Sequence, residues 1–553
     1  MKDDYPQLAP LPADHLVPRE LQPEYLSPDS LGPTVPLAEA LCDQHVRLGR
    51  GDQPAIIDDT RGRALTFAEL TEASSRLANA LSELGVRPGE RVAFRFPNRP
   101  EALIAAIAAW RLGAVVVPTP VQARESELRF FLEDTGATAL IADGRDLHFD
   151  SVPAALEGTA VDLLITVDGP ARADAHGWDK LLAAAAPTFS GPPAHPDGPA
   201  IIWHTGGTTG TPKACYHTQR RFLLGGYAVG LSTGVRAGER WCAAAPVGHA
   251  LGFIYHTNFT LLHGATVVLV EDFGRAEAVL GAIAKHRVDT FTAVVASWAR
   301  LKGALEAEPA SFDASSLTRA FGMWQTASSS EVSDYWSKRG LELMNNFGST
   351  AFATWVLVPR SGTPHRWGSL GQPSPGFDVR ASDLEGASIG FVPQGEQGRM
   401  VVRGVTGLTY WNRLDLQARD VIDGWTVVDD LIAFDEHGNA DYLGRTDYLI
   451  SSAGYKIAPV EVETVLCRHP VVREVAVVGA PDPIRQEIVS AFVALHPGAI
   501  AGDDLRRELQ DLVKRELSPY KYPRRIEFVD ALPRDSVGKV QMRILADRAR
   551  AGS

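Results

Sequence analysis

The sequence predicts an α/β protein, with a large N-terminal domain of layered α/β subdomains and a small α+β C-terminal domain. Three observations predict it. Amphipathic helical stretches alternate with short apolar runs, with glycines at the changeovers. Composition shifts near residue 445, and the remainder reads as a self-contained unit of about 110 residues. The chain has 553 residues, and at roughly 100–200 residues per domain that length needs more than one domain.

The first 35 residues are rich in proline and predict an extended arm over the surface. Thr66 with Glu69 forms a capping box. Behind it Leu70, Ala73, Leu77, Leu81 and Leu84 continue one apolar helical face, and Gly85 ends the helix. Val92 to Phe96 reads as a strand. The pattern then repeats, with a helix from Pro100 to Leu112, a stop at Gly113 and a strand from Ala114 to Val117. Gly264 precedes a further strand, Thr266 to Val270. Such helix–glycine–strand repetition predicts largely parallel sheets. Pro187 to Pro199 reads as a surface connector, and no repeat at solenoid spacing is present. Beyond residue 445 the order is helix (Pro459 to Arg468), strand (Val475 to Val478), strand (Ile488 to Leu495), helix (Asp503 to Leu517) and strand (Arg525 to Val529). The last loop, Pro533 to Lys539, is polar and glycine-hinged, which suits a mobile catalytic group.

Composition narrows the function. A net charge of −13 argues against a nucleic-acid footprint. The basic stretch Lys514 to Arg525 is mixed with Glu516 and Tyr520 and reads as a solvated face. Cys42, Cys215, Cys242 and Cys467 form no close pair, so neither a disulfide framework nor a zinc ribbon is indicated. The N-terminus carries no apolar signal core, and the longest apolar run, Ala102 to Trp110, is too short to cross a bilayer. The expectation is a cytoplasmic protein that meets small molecules, neither nucleic acid nor membrane, as a monomer or homodimer.

The strongest chemical signal is Ile201 to Lys213, IIWHTGGTTGTPK. An apolar strand enters a loop holding Thr205, Gly206, Gly207, Thr208, Thr209 and Gly210, and Lys213 follows. Glycines let backbone N–H groups turn toward an anion, and hydroxyls and an ammonium add donors. This is a phosphate loop by chemistry, without the Gly-Lys-Ser/Thr of a Walker A loop.

The segment resembles the phosphate-binding signature of the adenylate-forming superfamily: acyl- and aryl-CoA synthetases, peptide-synthetase adenylation domains and firefly-type luciferases. The resemblance covers nearly the whole chain, with further motifs in the same order. Asn346, Phe347, Gly348, Ser349 and Thr350 resemble the aromatic-Gly-x-Thr-Glu motif, which implies stacking of Phe347 on adenine and contact of Thr350 with phosphate. The family's glutamate, which helps hold Mg2+, is Ala351 here, so that either phosphates and water hold the ion or turnover is altered. Gly424 to Leu431 resembles the ribose-binding segment, with Asp430 as the carboxylate; read alone it is equally an acidic turn. Arg445 falls in the junction motif, and Asp447 takes the hinge position. Gly454, Tyr455 and Lys456 lie in the loop that serves the second half-reaction and the CoA side. Lys539 matches the catalytic lysine, whose cation stabilises charge building on the α-phosphate. Pro246 to Gly252 resembles the Pro-x-x-His loop, which makes His249 a neighbour of acid and CoA, the alternative being a buried structural histidine. Trp324, Gln325, Thr326 and Ala327 occupy the region that lines the acid pocket, where core packing of Trp324 is the alternative.

The resemblance implies domains of 1–446 (adenylation) and 447–553 (mobile, lysine-bearing), with ATP, Mg2+ and CoA as cofactors. Val121 to Glu125 and Cys215 to Arg220 look similar to benzoate- and aminobenzoate-CoA ligases, which implies adenylation of an aromatic acid and transfer to CoA. Two other readings stand beside it. One is a diazotase that activates nitrite for attack by an aromatic amine, suggested by Ala351 and the Trp324-Gln325 segment. The other is a nucleotide-binding protein that has lost catalysis, for which Ala351 is the sole support.

Overall fold

The computed structural model of the chain describes residues 35–146, 149–169, 173–205, 212–322, 330–360, 362, 366, 368–383, 388–452, 455–483, 485–535 and 538–551. The arm expected over the first 35 residues lies, but for Val35, outside them.

Two sheets of one plan form the bulk of the N-terminal part, each seven-stranded among the described residues. The first runs Glu342–Asn345, Arg319–Gly322, Thr290–Thr292, Arg240–Ala243, Thr266–Leu269, Pro54–Asp58 and Arg63–Thr66. The second runs His176–Gly177, Leu163–Val167, Ala139–Asp143, Arg91–Arg95, Val115–Thr119, Pro199–Thr205 and Lys213–Thr218. In each, every pairing is parallel except the last, where an antiparallel hairpin closes one edge. Parallel strands are covered on both faces and so read as unbroken apolar runs; Val115–Thr119 is buried at every position.

The helices follow their sequence signals. Thr66 Oγ1 accepts the Glu69 N–H at 3.2 Å, and the Glu69 carboxylate accepts the Thr66 N–H at 2.8 Å. Helix Phe67–Glu83 then buries Leu70, Leu77 and Leu81. Helix Pro100–Leu112 is buried almost all round and ends at Gly113, whose φ of 80° is left-handed. The following strand starts one residue later than predicted, because the Ala114 N–H still bonds the Ala109 carbonyl of the helix at 2.8 Å.

A five-stranded antiparallel sheet, absent from the sequence reading, comprises Phe377–Ser382, Gly398–Gly404, Trp425–Phe434, Val421–Ile422 and Ala440–Arg445. The C-terminal sheet is separate from the others. Gln486–Leu495 is paired by Val472–Asp482 and Ile450–Ser452, with Arg525–Val529 added in parallel and Tyr455–Ile457 at the edge. Val472–Asp482 outruns the predicted Val475 to Val478 because its hairpin pairing extends from Val472–Leu495 to Asp482–Gln486. Helices Pro459–Leu466 and Asp503–Glu516 cover this sheet with Val462, Val465, Leu466, Leu509 and Val513. Among the described residues no helix is long and apolar enough to cross a membrane, and the four cysteines are free.

Candidate functional site

Pro199–Thr205 and Lys213–Thr218 pair antiparallel from Pro199–Thr218 to Thr205–Lys213, and the threonine–glycine segment is the sequence that joins these two strands. Gly206, Gly207, Thr208, Thr209 and Gly210 lie outside the described residues; Thr205 is described in its backbone, and Lys213 is half-buried.

The second of the two strands holds the Asn346–Thr350 segment. His217 Nε2 donates to the Thr350 carbonyl at 2.8 Å. Burial pushes the His217 imidazole down to about 4, so the ring is neutral at pH 7 and has one N–H to give. Cys215 Sγ lies 3.6 Å from the same carbonyl. Asn346 and Phe347 are buried, and Phe347–Ser349 is a strand. Ala351 packs half-buried against the apolar cluster of Cys215, Leu408, Tyr410 and Val421, and so offers no carboxylate at this end of the motif.

The antiparallel sheet brings a third group to Phe347. Asp430 and Arg445 are register partners on neighbouring strands. Arg445 Nη1 lies 3.6 Å from Asp430 Oδ2. The Tyr442 hydroxyl donates to Asp430 Oδ1 at 3.1 Å, and its ring centroid stands 6.5 Å from that of Phe347. Burial, with the Asp430 charge beside it, holds the Tyr442 hydroxyl well above its ordinary value, so it remains a donor. Asp430 itself is 5% exposed.

The Pro-x-x-His loop is fixed by Asn98, whose Oδ1 accepts the Val247 N–H at 2.8 Å and whose Nδ2 donates to the Ala245 carbonyl at 3.0 Å. Gly248 presses on the Thr119 carbonyl, leaving no room for a Cβ. His249 caps helix Ala250–His256, its Nδ1 accepting the Leu251 N–H at 3.2 Å. Burial, and then the nearby Lys539 charge, push His249 down to about 4, against the opposing effect of Asp535. Lys539 reaches this point at the end of its loop, where its N–H donates to Asp535 Oδ1 at 2.8 Å. The backbone at Gly538, with a left-handed φ of 87°, lies so close to Val294 and Ala296 that a Cβ there would stand 3.2 and 3.4 Å from them.

His249 borders a cavity of about 50 Å³, with Pro118, Pro120, Phe131, Trp203, His204, Gly248 and Ala250 as its other walls. Arg95, fully buried, braces the turn that follows Pro120 by donating to the Ala123 carbonyl and pairing with Asp146, each at 2.8 Å. A larger open hollow of about 640 Å³, bordered by Arg468, His469, Glu508 and Arg515, belongs to the C-terminal unit and shares none of these residues.

The structure thus brings Phe347, Asp430 and Arg445 to one place, and Lys539 and His249 to another. Trp324, Gln325, Thr326, Ala327 and Gly454 lie outside the described residues. Tyr455 and Lys456 belong to an edge strand, and Asp447 to the single turn Thr446–Tyr448; their side chains are outside the description. Sequence reasoning missed Tyr442 and His217. Each is one polar residue in a strand of mixed pattern, and nothing in the local sequence says what it faces.

Comparisons with known proteins identify the family. The family model described as AMP-binding enzyme matches residues 43–411, and that of the AMP-binding enzyme C-terminal domain matches residues 461–539. A feruloyl-CoA synthase from Amycolatopsis sp is 34% identical over 484 residues, 87% of this chain and 93% of its own. A benzoate–CoA ligase from Thauera aromatica is 30% identical over 509 residues, 91% of this chain and 94% of its own. Among solved structures, an anthranilate CoA ligase in complex with anthranoyl-AMP superposes with a TM-score of 0.85 at 25% identity, covering 95% of this chain and 99% of that one. The chain belongs to the AMP-binding enzyme family, the adenylate-forming ligases.

Proposed function

We propose that the protein adenylates a small aromatic carboxylic acid with Mg·ATP and passes the acyl group to CoA, releasing pyrophosphate and then AMP. The observation that carries this reading is the approach of Lys539 to His249. The lysine's loop meets the N-terminal part at Val294 and Ala296 through Gly538, and its charge acts on the histidine loop, where the family resemblance puts the acid. The role of this cation would be to stabilise the charge that develops as the carboxylate attacks the α-phosphate. Asp430, held by Tyr442 and Arg445, would accept the ribose hydroxyls, and Phe347 would lie against the adenine. Thr350, whose carbonyl His217 fixes, would contact phosphate with the threonine–glycine segment and Lys213. Magnesium would arrive with ATP, held by phosphate oxygens and water, since Ala351 supplies no ligand. The mobile unit of this reading is 447–553, turning about Asp447 on the body 1–446. The turn would withdraw Lys539 and bring Gly454, Tyr455 and Lys456 to the acceptor, so that one chain serves two transition states. The acid class is supported by the names of the relatives, whose substrates are benzoate, anthranilate and ferulate.

Ala351 favours a second reading, in which nitrite is the oxyacid and an aromatic amine the acceptor. One experiment decides between them: pyrophosphate release against benzoate, aminobenzoates, hydroxybenzoates, cinnamates and nitrite, each with CoA or with an aromatic amine. Turnover with an aryl acid, completed by a CoA thioester, is the expected result. Turnover that requires nitrite and yields a diazonium product without CoA would overturn it.

A further inference from the structure

The strand leading into the threonine–glycine segment carries, one residue before its end, a histidine that the reading above leaves without a role. The His204 side chain is 6% exposed, and its Nε2 lies 3.0 Å from Asp134 Oδ2. Asp134 comes from the helix Glu125–Thr135. The ring of Phe131, on the same helix, stands 4.7 Å from the imidazole, centroid to centroid. Arg413 Nη2 lies 3.8 Å from the other Asp134 oxygen. An ionised carboxylate can only accept, so Nε2 carries the proton and Nδ1 keeps its lone pair. Among the described residues Nδ1 has no hydrogen-bond partner. His204 and His249 border the same cavity, and the Lys539 charge acts on His249.

A buried histidine that merely satisfies a carboxylate would account for the Nε2 bond. It would account neither for the lone pair left on Nδ1 nor for the cavity shared with His249, on which the Lys539 charge acts. A base oriented by a carboxylate, beside a space that a small group can enter, is the arrangement that activates a nucleophile. The cavity of about 50 Å³ has room for the reacting end of such a molecule, given that a water takes roughly 30 Å³.

We propose that the His204–Asp134 pair is the proton acceptor of the second half-reaction, and that the acceptor's reacting group enters between His204 and His249. The proposal rests on the adenylating reading above. The acceptor is a nucleophile that must shed a proton, the thiol of CoA on that reading. Its sulfur forms a bond to the acyl carbon and its proton passes to His204 Nδ1. The acyl carbon–oxygen bond to the phosphate breaks, and AMP leaves with the electron pair. Asp134 holds the tautomer that can receive the proton.

The test separates the two half-reactions in the full-length protein. Acid-dependent exchange of pyrophosphate into ATP, without acceptor, reads adenylation. Single-turnover formation of thioester from the enzyme-bound adenylate reads transfer. In His204→Asn, transfer should fall about 100-fold further than exchange does, the contribution typical of a general base. Asp134→Asn, which keeps the shape but no longer fixes the tautomer, should give a smaller loss in the same direction. Thermal melts of both variants show whether they fold, and Asp134→Asn serves if His204→Asn does not. Equal losses in both half-reactions would make the pair structural and overturn the proposal, as would transfer at the wild-type rate. Absence of exchange in the wild type with every acid would instead overturn the adenylating reading, and the pair's role with it. If exchange occurs but an aromatic amine, not CoA, consumes the adenylate, the acceptor is reassigned. The same comparison run with the amine then upholds or overturns the pair.

Discussion

At the residue scale, the site depends on a few polar groups whose partners fix their form. Tyr442 and Arg445 converge on Asp430, and His217 holds the Thr350 carbonyl. Lys539 differs from these. It is exposed, and it sits on a loop whose backbone is turned by Gly538 and by the Asp535 carboxylate. Its removal should therefore spare the fold and strike the chemistry. Lys539→Ala should lower acid-dependent pyrophosphate exchange about 100- to 1,000-fold, as loss of one preorganised charge-stabilising group does, with an unchanged melting curve. Exchange at the wild-type rate would remove Lys539 from the first step.

At the element scale, the local signals held wherever a backbone requirement picks the residue. Thr66 and Glu69 cap a helix because their side chains satisfy N–H groups that the helix cannot. Gly113 ends the next helix because its φ of 80° is costly with a Cβ. That Cβ would also lie 3.4 Å from the Pro88 Cβ. Gly113→Ala should accordingly destabilise the protein by about 1 kcal/mol or more, seen as a lower midpoint in urea; an unchanged midpoint would mean that the turn relaxes freely. The predicted strands were shortest where pairing, not composition, sets the length. Val472 to Glu474 and Gly479 to Asp482 belong to the strand because Gln486–Leu495 lies alongside it.

At the scale of the whole molecule, buried titratable groups link stability to pH. His45, His217 and His249 are pushed, chiefly by burial, to about 4, and His256 to about 3, from 6.5. A histidine held low in the fold binds its proton sooner when unfolded. Its stabilisation is therefore present above pH 6.5 and lost as pH falls toward 4, by up to roughly 3 kcal/mol per ring. Burial raises Glu463 from 4.5 to about 7, and its effect has the opposite sign: its stabilisation is present below 4.5 and lost as pH rises to 7. Four such histidines, with His263 also lowered by burial, oppose one glutamate, so between pH 6.5 and 4.5 unfolding should take up protons and Tm should fall as the solution is acidified. His256→Leu removes a ring whose two nitrogens are without partners among the described residues, and should flatten that slope. A Tm that rises on acidification would contradict the balance.

The sequence by itself determined the α/β class, the helix caps and stops, the small C-terminal unit and the family motifs, in which Lys539, Asp430 and the threonine–glycine segment are legible. These follow from periodicity, from backbone conformations that only certain residues adopt, and from side-chain chemistry concentrated in short segments. Tertiary structure alone decided which distant groups meet. His217 meets Thr350, Tyr442 meets Asp430, and Asp134 meets His204 across separations of 133, 12 and 70 residues. The five-stranded antiparallel sheet and the closeness of Lys539 to His249 belong with them. Such pairings are set by sheet order and register, which depend on how whole elements cover one another, and a single strand's pattern carries no record of its partner.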